Sequence, residues 1–344
     1  MAMYDEVLRK PQKKTKKSFK ESFIPQKGDS KNVLINKFII IASIIALLAC
    51  VGVLGTHYYH IYEAKFNSDK INDIYSGARV ISGQTDNGDP TTPGEDQSVM
   101  PVTTVPAPDM PWVQPPILPS ASELLELNPD YAGYVSIPNV FSEAVVLDED
   151  NEYYLTHNFY GQKRAAGTVF ADFRNEINTE HVSDNIILYG HNNRDGTMFG
   201  NMDFYKYNAN YWLKNPFVYF DNFYTQDVYV IVASFITNVD PKHDNGYVFD
   251  YQNYINFTDT EPYTFESFKA AIDKKNQIIT GLDFNETDKY LTLSTCSYEF
   301  EPSRHVMIAR KLRPGETTSN IDTTLFKLNP SPEWPAIYYK YASG

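Results

Sequence analysis

The chain has 344 residues and a formal net charge of −13 at pH 7, with 42% hydrophobic residues. So acidic a chain is repelled by phosphate, which excludes a general nucleic-acid binder. Two cysteines exclude a disulfide framework and a cysteine-based zinc cluster, while 26 Tyr and 21 Phe supply ample core material.

The charge is unevenly spread. Residues 1–37 hold ten Lys/Arg and four Asp/Glu, a net of +6, and residues 38–55 hold no charge, so the remainder carries −19. The neutral stretch FIIIASIIALLACVGVLG, at 1.5 Å per residue, makes about 27 Å of helix, close to the hydrocarbon thickness of a bilayer. It has no polar face, unlike a surface or core helix. It is longer than the apolar part of a signal peptide and follows a long basic segment, so an uncleaved single-pass anchor is expected over 38–55. The lysines at 13, 14, 16, 17, 20, 27, 31 and 37 all precede it. The positive-inside bias then places the basic tail 1–37 in the cytoplasm, near anionic head groups, and residues 56–344 outside the cell.

Residues 56–80 are expected to extend the helix as an extracellular stalk, with Tyr58 and Tyr59 in the interfacial aromatic belt. His57 and His60 are three apart but have no further ligand nearby, so they read as interfacial polar residues and no metal is expected. Residues 81–120 hold nine of the 21 prolines. Proline removes donors and fixes φ, so this stretch reads as a semi-extended spacer.

The body, residues 121–344, opens with a short helix over 121–127 capped by Ser120. Its texture is then mainly β. Apolar runs broken by Asn, Asp, Gly and Pro predict strands at 133–137, 144–146, 167–170, 185–189, 218–220, 228–235, 290–294 and 306–310. Eight short strands suit a closed barrel or a sandwich. Helical patterning recurs near 198–206 and over 264–275, where Phe265, Phe268, Ala271 and Ile272 form one apolar stripe.

Cys296 is the single cysteine of the part expected outside the cell. In KYLTLSTCSYEFEPSRHVMIARK a strand runs into Cys296, a loop over 297–303 follows, and a second strand starts near Arg304. If these strands pair antiparallel, Cys296 and Arg304 flank one end of the hairpin. A guanidinium is permanently charged, favours a neighbouring thiolate and can hydrogen-bond an oxyanion. His305 would turn to the opposite face. In NIILYGHNNRDGTMFG an apolar strand leads straight to His191, which presents an imidazole at a strand exit as a general acid/base requires. A nucleophile, a proton donor and a cation complete an acyl-transfer set. Taken alone, each residue also suits a structural part: a small buried thiol, a satisfied histidine, a surface arginine.

At these residues the chain resembles the class B sortases, membrane-anchored transpeptidases of Gram-positive bacteria. NPDYAGYVSIPN (128–139) is similar to their opening strand and NEYYLTHNFYGQKRAAGTVFAD (151–172) to the next block. NIILYGHNNRDGTMFG matches their histidine block, and YLTLSTC with the arginine eight residues later their cysteine and arginine blocks. The likeness spans roughly residues 120–312. It implies a sortase-type eight-stranded β-barrel with flanking helices. A helix over 264–275 would lie in the connection between the sixth and seventh barrel strands (about 238–289), forming one wall of a peptide groove. It implies Cys296 as nucleophile, His191 as the acid that protonates the leaving amine, Arg304 as oxyanion and substrate positioner, and Ser294 as a substrate-binding support.

The implied reaction cleaves a C-terminal sorting motif of secreted proteins through a thioester. The acyl group passes to an amine of a cell-wall precursor or a pilin, with no cofactor. Residues 313–344 extend past the family pattern, and Trp334, Tyr338, Tyr339 and Tyr341 are candidates to pack on the barrel. Two alternatives stay open: a membrane-anchored cysteine peptidase that uses water, and a non-enzymatic surface adhesin in which Cys296 is incidental. A cell-wall L,D-transpeptidase would carry a histidine within a couple of residues of its cysteine, and TLSTCSYEF has none.

Overall fold

The structure, a computed structural model, describes residues 23–81 and 113–342. The first 22 residues of the basic tail and residues 82–112 of the spacer lie outside it. The chain divides into two compact units, Met1–Tyr62 and Glu63–Gly344.

In the first unit, helix α1 (Lys31–Ile81) begins. Phe38, Ile45, Leu47, Leu48 and Val53 are exposed along it. Among the described residues it is the one helix long and apolar enough to cross a membrane.

The second unit carries the rest of α1, from Glu63, and a closed barrel. In chain order the elements are α2 (Pro119–Leu127), β1 (Tyr131–Ile137), β2 (Phe141–Val146), β3 (Val169–Ala171), β4 (Asn185–Tyr189), α3 (Ala209–Lys214), β5 (Phe217–Asp221), β6 (Gln226–Asn238), α4 (Phe265–Lys275), β7 (Ile278–Ile279), β8 (Tyr290–Ser297), β9 (Ser303–Lys311), β10 (Lys327–Leu328) and α5 (Ala336–Ala342). Round the barrel the order is β1-β2-β3-β4-β8-β9-β6-β5. The β2–β3 and β4–β8 pairs are parallel and the others antiparallel. All eight expected strands are present.

The strands are buried on both faces, which explains why strict alternation is weak in the sequence. One core cluster includes Leu188, Ile231, Leu293 and Met307 from the barrel and Phe268 and Ile272 from α4. A second covers the outer surface of β1–β3: Ile71 and Tyr75 of α1 and Leu124 of α2 pack on Tyr131, Tyr134, Val146 and Phe170. Tyr75 and Tyr134 stack with ring centroids 3.7 Å apart, and Arg164 holds Glu63 in a fork at 2.7 and 2.8 Å. From Glu63 onward, part of the stretch expected as a stalk therefore packs against the barrel.

Several local expectations need correction. Helix α2 starts one residue before Ser120, because Pro119 with its preset φ occupies the first helical position and Leu118 stands at the cap. The 198–206 stretch is only a 3₁₀ turn, Gly200–Tyr205. The regular helix follows it as α3, where the Asn208 side chain accepts from the amides of Asn210 and Tyr211. Gly167 lies outside β3, at φ +64. The 264–275 helix is present, with Thr264 as its cap accepting from Ser267 N at 3.1 Å.

The C-terminal segment packs beside α4. Its strand β10 pairs with β7, Glu333 N donates to Lys274 O at 2.9 Å, and Trp334 stacks on Tyr338 at 3.8 Å.

Candidate active site

Three strand ends meet at one rim of the barrel. In β8 and β9 the antiparallel register sets Cys296 directly opposite Arg304. Paired residues in such a ladder point to the same side. In β4 and β8 the parallel register sets Tyr189 beside Ser294, and Gly190 N donates to Ser294 O at 3.2 Å. Just past the end of β4, the residues on either side of His191 are tied to β8: Thr295 Oγ1 donates to Gly190 O at 2.7 Å and Asn192 Nδ2 donates to Cys296 O at 2.9 Å. The three sequence-predicted residues are thus brought together, and all three are partly exposed. Cys296 lies within β8 rather than just beyond its end.

The histidine is held from two directions. Its Nε2 donates to the Leu155 carbonyl at 2.8 Å, which leaves Nδ1 for other partners. Its neighbour Asn192 is buried and donates from Nδ2 both to the Cys296 carbonyl and to Asp203 Oδ1, each at 2.9 Å. Tyr298 OH in turn donates to Asn192 O at 2.9 Å. One asparagine therefore ties the loop bearing His191 to the strand bearing Cys296.

Gly167 abuts this arrangement. A Cβ there would lie 2.7 Å from Tyr154 O, 2.9 Å from Leu155 O and 3.1 Å from the His191 ring. The φ of +64 adds the left-handed strain that L side chains avoid. Gly167→Ala is expected to displace the Leu155 carbonyl and the imidazole together. A misplacement of about 1 Å at reacting groups lowers kcat by about 10²-fold. A peptide-cleavage assay beside a thermal melt checks this, and an unchanged kcat would show that the contact is irrelevant.

Ser294 is buried, 2% exposed, with its hydroxyl 2.7 Å from Tyr251 OH. Burial raises the Tyr251 phenol above its ordinary range, while the Ser294 bond and the nearby Arg304 charge act in the opposite sense. Tyr251 belongs to the β6–β7 connection. It is steadied by Arg174, which donates to Gln252 O at 2.7 Å and Asn253 Oδ1 at 2.9 Å. Arg174 also forks onto Asp172. Burial would raise the Asp172 carboxyl, but that pair, helped by Tyr189, holds it below the usual carboxylate range.

Beneath the rim, His305 turns to the opposite face. It is fully buried, its Nε2 lies 2.8 Å from Ser234 Oγ, and burial with the nearby Lys206 charge lowers it to about 3. It is neutral at working pH and does not compete with His191 as an acid. Lys206 is itself buried, paired with Asp203 at 2.8 Å and Glu299 at 3.1 Å, and donates to Ser297 Oγ at 3.1 Å.

Asn192, Gly167, Tyr251 and the Leu155 carbonyl escaped the sequence reading. Asn192 alone carried a signal, its place in the YGHNN run.

No family profile matches the chain. It is 29% identical over 188 residues to sortase B of Listeria monocytogenes, an alignment covering 54% of this chain and 71% of that one. To sortase B of Staphylococcus aureus it is 26% identical over 198 residues, covering 57% and 75%. The fold is shared with the Staphylococcus aureus sortase B–substrate complex, with a TM-score of 0.56, 21% identity and coverage of 74% of this chain and 99% of that one. It is shared too with sortase B of Bacillus anthracis, with a TM-score of 0.53, 21% identity and coverage of 74% and 99%. With its closed eight-stranded barrel and these sortase B relatives, the chain is similar to the class B sortases, the sortase-type cysteine transpeptidases.

Proposed function

We propose that this enzyme cleaves a C-terminal sorting motif of secreted proteins and joins the acyl part to an amine of a cell-wall precursor or a pilin. What supports the reading is the register that sets Cys296 opposite Arg304, with the loop bearing His191 tied to Cys296 through Asn192.

In the proposed cycle the Cys296 thiolate attacks a backbone carbonyl carbon of the bound motif. The oxyanion that forms is met by the Arg304 guanidinium, a planar fork of N–H donors. As the tetrahedral intermediate collapses the C–N bond breaks, and His191 gives its proton to the departing nitrogen. A thioester on Cys296 remains. An incoming amine attacks it, passes a proton back to His191 and expels the thiolate, so that no proton or electron is left over. Ser294, through Tyr251, supports the face of the groove that receives substrate. The β6–β7 connection with α4 supplies one wall.

The apolar part of α1 is the proposed single-pass anchor. The basic tail would lie in the cytoplasm and the barrel outside the cell, where substrates emerge. An extracellular site suits a reaction between two partners that have both crossed the membrane.

The test incubates the full chain, in detergent micelles, with a pool of fluorescent peptides bearing C-terminal-type motifs, with and without an added amine such as triglycine. The expected results are a thioester on Cys296 by mass spectrometry and an amine-linked product. Cleavage with water as the only acceptor would favour a peptidase, and absence of any Cys296 adduct would overturn the reading.

A further inference from the structure

Glu143 lies on β2, far from Cys296 in sequence, with its side chain 8% exposed. Its two carboxyl oxygens face different parts of the second unit. Oε1 accepts from Met198 N at 3.2 Å, and Oε2 accepts from Ser68 Oγ of α1 at 3.2 Å.

Met198 closes the loop that His191 opens. It pairs across to Asn192 as an isolated bridge, and Phe199 N donates to His191 O at 3.0 Å. Met198 also has φ +53, a left-handed conformation uncommon for a residue with a side chain. Such a conformation persists where its surroundings determine it, and the Glu143 carboxyl is one such determinant. On the other side, Ser68 belongs to the α1 segment held on the barrel by the Glu63–Arg164 fork and by Tyr75 and Asn72, which bond Asp221 and Tyr134. Between them lies a cavity of about 30 Å³, lined by Ser68, Glu143, Arg164, Met198 and Gly167 among others. Gly167 is the residue that abuts the His191 ring.

We propose that Glu143 is a positioning residue for His191: it anchors the 191–199 loop through the Met198 amide and ties that loop to the α1 segment through Ser68. The docking of this helix segment thereby sets the placement of the imidazole. The inference rests on the proposed role of His191.

The groups around Glu143 define how it responds to pH. Burial raises the carboxyl to about 7; the Met198 and Ser68 bonds pull it down, and Asp69 pushes it up. Glu63 and Arg164, also at the cavity, are paired with each other. For an acid raised in the folded state, its contribution to stability is present below the unfolded carboxylate range and is lost as pH rises through about 7. A glutamine keeps both contacts, accepting from Met198 N and donating to Ser68 Oγ, but cannot titrate.

The experiment uses the full chain in micelles with the best-cleaved peptide of the pool. Glu143→Ala is expected to lower kcat by about 10-fold, equivalent to about 1.4 kcal/mol, with KM nearly unchanged. Ser68→Ala, a milder break from the helix side, should lower kcat by about 3-fold. Glu143→Gln should restore kcat to within about twofold, and the ratio of wild-type to Glu143→Gln rates should inflect near pH 7. Alkylation of Cys296 by iodoacetamide, resolved from Cys50 by mass spectrometry, confirms that each variant retains its site. Wild-type kcat in both Glu143→Ala and Ser68→Ala would overturn the proposal, as would equal losses in Glu143→Ala and Glu143→Gln. His191→Ala, run in parallel, separates the two readings: undiminished turnover there removes the role of His191 and this proposal with it.

Discussion

Cys296→Ala is expected to abolish both cleavage and transfer while leaving the fold intact. The residue is only partly buried on the outer part of β8, and its backbone is held by the β9 ladder and by Asn192 at the carbonyl. Removing one sulfur therefore costs little packing. It removes the atom proposed to carry the thioester, and loss of a nucleophile lowers kcat by about 10⁶ in well-studied acyl-transfer enzymes. The check is a rate measurement with the peptide pool, a thermal melt, and a mass spectrum showing no acyl adduct. Turnover surviving in the alanine variant would move the chemistry elsewhere and leave the non-enzymatic or another catalytic reading standing.

Arg304→Lys is expected to lower kcat by about 10²–10³-fold, the scale of losing an oxyanion donor. The substitution keeps the positive charge, so its size separates two roles for this side chain. If Arg304 only favours the thiolate through its charge, lysine should substitute with a small loss. If it meets the oxyanion with directed N–H donors, the point charge of an ammonium on a flexible stem is a poor replacement. The strand supports the second outcome. Arg304 is set opposite Cys296 by the register, and its Nη1 is tied at 3.1 Å to the Ser303 carbonyl. That leaves the fork presented from a fixed base. A pre-steady-state measurement should place the loss in thioester formation, with KM changed much less than kcat. A loss under threefold would assign Arg304 a purely electrostatic role.

Much of this was legible in the amino-acid order. Strand β4 spans the expected residues, and α4 covers the expected 264–275 stretch from Phe265 onward, because each carries a local signal: an apolar run bounded by polar residues, or a 3.6-residue apolar stripe. The opposition of Cys296 and Arg304 was legible too. A hairpin constrains its own register, so residues eight apart across one turn are brought face to face by local geometry. The fate of His305, turned inward and neutral, follows from the same alternation.

The wiring behind these residues was not legible. The Leu155 carbonyl reaches His191 across 36 positions, Tyr251 reaches Ser294 across 43, and Glu143 reaches Met198 across 55. No periodicity or cap encodes such pairs, since each depends on how the barrel closes. The parallel β4–β8 pairing is the deciding case: a crossover of a hundred residues separates the strands, and only the closed sheet brings the end of β4, from which the His191 loop leaves, beside the strand bearing Cys296. The sequence by itself determined the apolar helix, the strand set and the three chemical side chains, because hydrophobic patterning and turn residues act over a few positions. The tertiary structure decided which carbonyl holds the imidazole, which hydroxyl backs the serine and which carboxyl holds the loop. Those choices are made by long-range packing, where the requirement to satisfy buried polar groups selects partners that are distant in the chain.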